Sequence, residues 1–115
     1  GGVDPVEAMK HFGTRIKKLH QKDLVKDSKN PVNMFDIVGK DTIIDQKLWV
    51  GTKCNDDFTE IGYGCVDIQS IIDTANKIGS MDYIILEQDA TKLNQLDSVK
   101  RSMEGFHKFG GIVWE

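Results

Sequence analysis

Apolar residues recur at helical spacing in three stretches of this chain, and two short extended runs separate them. In "DPVEAMKHFG", Val6, Met9 and Phe12 share one side, Asp4 stands as N-cap, Pro5 takes the first helical position, Glu7 lies three residues after the cap and Gly13 is a stop. A short helix is predicted. "RIKKLH" then alternates, with Ile16, Lys18 and His20 on one face and Lys17 and Leu19 on the other, so it reads as a strand with His20 at its C-terminal end.

From Leu24 to Thr59 no helical period is sustained, although "VNMFDIV" and "TIIDQKLWV" are apolar enough to be strand-like. So long a connection without structure of its own is uncommon in a compact domain, so it is either an active-site loop carrying short strands or a segment whose structure the periodicity does not reveal. Period 3.6 returns in "VDIQSIIDTANKIG": Asp67 is the N-cap, Ile68, Ile71, Ile72, Ala75 and Ile78 trace a stripe, and Gly79 ends it. The continuous apolar run "YIILE" predicts a strand buried on both faces, ending on Glu87. A last helix is predicted over 94–108 with Leu96, Val99, Met103 and Phe106 inward, stopped by Gly110 and Gly111 before the tail "IVWE".

This alternation of helices and strands is that of an α/β protein with a parallel sheet. At 115 residues the chain reads as a single domain, 1–115, able to bury a core. Two secure parallel strands make a narrow sheet, so the chain looks like part of a larger layered object.

Charge removes one class of partner. Eighteen Asp and Glu outnumber fifteen Lys and Arg, and the basic residues are scattered, so no basic stripe serves a phosphate backbone and nucleic acid is not expected. With no apolar run of membrane-spanning length and no leader-like start, the expectation is a cytoplasmic protein without membrane contact. Cys54 and Cys65 match neither a CxxC nor a zinc spacing and read as reduced thiols without a role.

Both predicted strands end on a side chain able to bind metal, His20 and Glu87, at the sheet edge where α/β folds build their sites. Imidazole with carboxylate suits zinc, manganese, cobalt or iron, and such a carboxylate can also move protons; the alternative is a solvated or salt-bridged pair without a ligand. In "EIGYGCVD", Gly62 and Gly64 allow a tight turn before a helix, either as an anion cradle or as plain loop-to-helix geometry. His11 and His107 read as surface residues, and Trp49 and Trp114 as packing aromatics.

In order, "DPVEAMKHFGTRIKKLHQKD", "FTEIGYGCVDIQSIIDTANKIG", "YIILEQD" and the closing amphipathic helix resemble the C-terminal half of the sugar phosphate isomerase/epimerase family, xylose isomerase-like TIM barrels. The likeness spans nearly the whole chain outside roughly residues 26–57. It implies a partial TIM barrel, here a half barrel of parallel strands with flanking helices. It also implies a divalent metal (Mn, Co, Zn or Mg) held by His20 of the H-x-K-D motif and by Glu87, with Glu87 as acid/base and Lys22 and Glu60 facing the substrate pocket. The implied reaction is isomerisation or epimerisation of a sugar or sugar phosphate, a small-molecule substrate.

Two departures accompany the likeness. Tyr63 stands where relatives often carry an acidic residue inside the glycine turn. Relatives also supply a further glutamate and aspartate from earlier strands, which have no counterpart here. A (β/α)₈ barrel needs about 200 residues or more, so one copy cannot close it, and a homo-oligomer completing the barrel is one expectation. A catalytically silent fragment or small-ligand binding module of the same fold is the other.

Overall fold

Asp4 does what the first stretch requires of it. Its Oδ1 accepts the Glu7 N–H at 2.9 Å, Pro5 occupies the first turn, and Lys10 reaches back to Glu7 at 2.7 Å, giving helix α1 over Pro5–Phe12. Met9 is its buried residue, whereas Phe12 lies half exposed beneath the Arg15 guanidinium, 5.0 Å from the ring centre. The predicted inward role of Phe12 is therefore corrected: the helix ends at Gly13, and Phe12 lies at its exposed end. These coordinates come from a computed structural model that describes residues 3–26, 38–43, 45 and 57–114.

A single turn of 3₁₀ helix, Gly13–Arg15, leads into β1, Lys18–Gln21. Strand β1 pairs in parallel with β4, Tyr83–Leu86, in the register Lys18 with Tyr83, Leu19 with Ile84, His20 with Ile85 and Gln21 with Leu86. The Glu87 N–H then donates to the Gln21 carbonyl at 3.1 Å, carrying the ladder one step past β4. Beyond β1 the chain forms β2, Asp23–Leu24, which pairs antiparallel with β3, Phe58–Thr59. The two ends of the long connection are thus clamped together. "VNMFDIV" and "TIIDQKLWV", with Trp49 and Cys54, lie outside the described residues apart from Val38, Thr42, Ile43 and Asp45, none of which is in a strand.

Helix α2 spans Ile68–Ile78 and is capped at both ends as its sequence demands. The Ser70 N–H and hydroxyl donate to the Asp67 carboxylate at 3.1 and 2.7 Å, and Gly79 closes the helix in the left-handed region at φ 69°, its N–H on the Ala75 carbonyl. Its stripe forms the core: Ile68 and Ile72 pack with Ile61 and Phe106, and Ile84, Leu86, Phe109 and Ile112 pack around them.

Helix α3, Gln95–Phe106, turns a different face inward than its apolar period predicts. Phe106 is buried, but Leu96, Val99 and Met103 are exposed, and the buried positions are Ser98, Ser102 and Gly105. Close approach is the cause. A Cβ on Gly105 would run into the Ile61 carbonyl, and one on Gly62 would press on the Gly105 backbone, so only small residues let α3 lie against this loop. Polar satisfaction adds to it, since the Ser102 hydroxyl accepts the Ile61 N–H at 3.2 Å.

The sheet also departs from expectation. Leu19, Ile84 and Leu86 face the helices, while Lys18, His20, Tyr83 and Ile85 are exposed on the opposite face, so β4 is not buried on both sides. Among the described residues β1 and β4 pair only with each other. The described residues form a small mixed α/β domain with three α-helices and a two-stranded parallel sheet, and a short antiparallel pair beside it. No helix among the described residues is long and apolar enough to cross a membrane.

Candidate functional site

Parallel pairing without stagger brings the C-terminal ends of β1 and β4 side by side, and this places the two predicted ligands together. His20 Nδ1 lies 2.7 Å from Glu87 Oε2, with the imidazole N–H donating to the carboxylate. Residues two further along share the same side of an extended chain. Lys22 accordingly joins the group, with Nζ 3.2 Å from Glu87 Oε1, and Asp89 closes it, accepting from Lys22 Nζ at 2.6 Å. The contacts run His20, Glu87, Lys22, Asp89, with the basic groups on one strand end and the carboxylates on the other. His20 is the most exposed, with 61 % of its side chain accessible.

Electrostatics follow the contacts. Hydrogen bonds from Lys22 and then His20 hold the Glu87 carboxyl below the usual carboxylate range, against a smaller opposing effect of burial. For Lys22, partial burial is the largest single influence and pulls the ammonium down. The hydrogen bonds and charges of Asp89 and Glu87 together outweigh it and leave the group above the ordinary lysine value.

Glu60 sits elsewhere. It is buried, and its Oε1 accepts from the Thr91 hydroxyl at 2.6 Å, the Ser98 hydroxyl at 2.9 Å and Gln88 Nε2 at 3.2 Å. Burial alone would raise its carboxyl, but those three donors bring it below its ordinary value. It does not touch His20, Lys22 or Glu87; it reaches the site through Gln88, the residue between Glu87 and Asp89. Glu60 is thus built into the junction of β3, the segment after β4 and α3.

Asp23, the aspartate of H-x-K-D, is the residue that sequence reasoning left without a role. It is 2 % exposed. Its Oδ2 accepts the N–H groups of Gly62 and Gly64, each at 2.9 Å, and its Oδ1 those of Leu24 at 2.9 Å and Val66 at 3.1 Å. The glycine turn does cradle an anion, and that anion is the chain's own carboxylate. A Cβ at position 64 would collide with it. The signal was present in the sequence: an Asp directly after a strand end, and amides exposed by a G-x-G turn that need an acceptor.

Other candidates resolve simply. The Tyr63 ring lies against two cations, the Arg101 guanidinium at 4.0 Å and Lys108 Nζ at 3.5 Å from its centre. His11 and His107 are exposed, and His107 stacks on Trp114 with ring centres 4.0 Å apart. Cys65 is an exposed thiol. An apolar groove of about 390 Å³ runs between the helix-facing side of the sheet, α2, α3 and the tail, lined among others by Leu19, Ile84, Leu86, Met103 and Trp114. None of the His20, Lys22, Glu60 and Glu87 side chains lines it.

Imidazole nitrogen and carboxylate oxygen bound to one ion at ordinary bond lengths of about 2.1 Å stand about 3.0–3.4 Å apart, depending on the coordination angle, so His20 and Glu87 need to open by less than about 1 Å to accept one. The donor pair fits a borderline divalent ion. Among the described residues no group of three or more His, Cys, Asp or Glu side chains is assembled to hold a metal, so this pair would supply part of a coordination shell. Compared with known proteins, the chain matches no family model, no curated protein and no solved structure.

Proposed function

We propose that this chain is the C-terminal half-barrel of a divalent-metal-dependent isomerase or epimerase acting on a sugar or sugar phosphate, and that a partner or a second copy completes it. The observation that carries the reading is the 2.7 Å approach of His20 and Glu87 across adjacent parallel strand ends, at the edge where α/β folds place their chemistry. Supporting it are the order of the sequence motifs and the bare sheet face bearing Lys18, His20, Tyr83 and Ile85, which in a closed barrel would point inward. Among the described residues the outer edges of β1 and β4 pair with no further strand, and such edges favour association.

In this reading His20 and Glu87 hold the ion. When bound, the ion would acidify a carbon-bound proton next to the substrate oxygens it polarises. Glu87, as a carboxylate, takes that proton from a hydroxy-ketone and returns it to the neighbouring carbon or to the opposite face. Lys22 offers an ammonium to a substrate oxygen. Glu60, through Gln88, fixes the segment on which Glu87 and Asp89 stand.

The test is solvent exchange. Incubated in D₂O with Mn²⁺ and a panel of ketoses and ketose phosphates, the protein is expected to place deuterium beside the carbonyl of at least one sugar, and Glu87→Gln to abolish it. Retained Mn²⁺ binding without exchange of any sugar would favour a silent ligand-binding module.

A further inference from the structure

Lys22 stands between two carboxylates, and the contacts are unequal: Nζ lies 2.6 Å from Asp89 Oδ2 and 3.2 Å from Glu87 Oε1. An ammonium that close to a carboxylate oxygen opposes any second cation seeking the same oxygen. We propose that Asp89 is a positioning residue for the cation site, giving the Lys22 ammonium a resting place so that it can leave Glu87 when a divalent ion binds there. The inference rests on the metal reading of His20 and Glu87 given above.

The backbone makes the exchange local. His20 and Lys22 are two apart on one strand end, Glu87 and Asp89 two apart on the other, and the ladder continues to Glu87 N–H on Gln21 O, so the four side chains form one patch. Lys22 already holds the Asp89 contact, and its side chain is about one-third exposed. Releasing Glu87 therefore takes a change of rotamer with the ion pair to Asp89 intact. Without Asp89 the same ammonium has Glu87 as its remaining ion-pair partner among the described residues, and an incoming ion must either expel it into water or bind beside it.

Mn²⁺ binding to the purified protein, read by isothermal titration calorimetry, tests this through a double-mutant cycle on Lys22 and Asp89. Asp89→Asn is expected to weaken Mn²⁺ binding about tenfold or more, by the size of a like-charge interaction near the surface. Lys22→Met is expected to tighten it, and in the Lys22→Met background Asp89→Asn should have almost no effect. That last result separates an action through Lys22 from a general loss of negative charge, which would weaken binding in either background.

Equal affinity of Asp89→Asn and the parent, or an undiminished loss in the Lys22→Met background, overturns the proposal while leaving the metal reading standing. Absence of Mn²⁺ binding by the parent protein overturns both. Far-ultraviolet circular dichroism of each variant shows that the fold is retained, and Asp89→Glu, which restores the charge, is expected to recover most of the affinity.

Discussion

Two pairs of carboxylates lie just beyond the strand ends, and they are held in opposite ways. Asp23 and Glu60 are buried and take their hydrogen bonds from backbone amides, hydroxyls and a carboxamide. Glu87 and Asp89 are reached by solvent and take theirs from an imidazole and an ammonium. Donors of the first kind neither titrate in the physiological range nor leave, so those carboxylates are fixed parts of the fold. Donors of the second kind sit on exposed, flexible side chains, and a cation can take their place. The first pair belongs to the β2–β3 ribbon and the segment after it, the second to the end of β4, and the kind of donor separates the fixed carboxylates from the exchangeable ones.

Breaking the first pair should cost most. Asp23→Ala would strand the amides of Leu24, Gly62, Gly64 and Val66, and at about 1–3 kcal/mol for each unsatisfied buried donor the loss should exceed about 3 kcal/mol even if water reaches some of them. Urea unfolding is expected to show a variant that is largely unfolded, and a midpoint near that of the parent would remove Asp23 from its structural role. Glu60→Ala comes next, at about 2 kcal/mol, because Thr91, Ser98 and Gln88 lose a charged acceptor but keep hydroxyl and amide alternatives. Glu60→Gln retains an acceptor and should recover more than half of that loss in the same titration.

Acid separates the pairs less sharply, since Glu60 and Glu87 both sit below their ordinary carboxyl values. A carboxyl lowered on folding adds stability that is present above its unfolded pKa and disappears as pH falls through the folded one. Melting temperature should therefore drop as pH falls below the ordinary carboxylate range, less so in Glu60→Gln. Lys22 has the reverse sign: its raised value adds stability that is fully present below the ordinary lysine pKa and is lost only as pH rises through the folded one. The smallest effect on stability belongs to the second pair. His20→Ala and Glu87→Ala should shift unfolding by about 0–1 kcal/mol, as exposed ion pairs do, although they remove the proposed cation site.

Much of this arrangement was legible in the sequence wherever a local rule acts alone. Asp4 with Glu7, Asp67 with Ser70, and Gly79 at the helix end announce themselves by capping chemistry, and the strand ends at His20 and Glu87 follow from alternation and from a short apolar run. What was not legible depends on close approach between distant segments. Helix α3 turns inward on Ser98, Ser102 and Gly105, a stripe with helical spacing but almost no hydrophobicity, because Ile61 and Gly62 come too near for anything larger. An apolar period instead selects Leu96, Val99 and Met103, which are exposed. The apolar run of β4 likewise implies cover on both faces, while the described residues cover only one.

Native mass spectrometry of the protein with and without Mn²⁺ reports assembly and stoichiometric metal together, and so tests the central claim most directly. The account predicts a species that gains a fixed number of Mn²⁺ ions per chain or per dimer and loses them on His20→Ala or Glu87→Ala. An identical mass with and without the ion, at every assembly state observed, would contradict it.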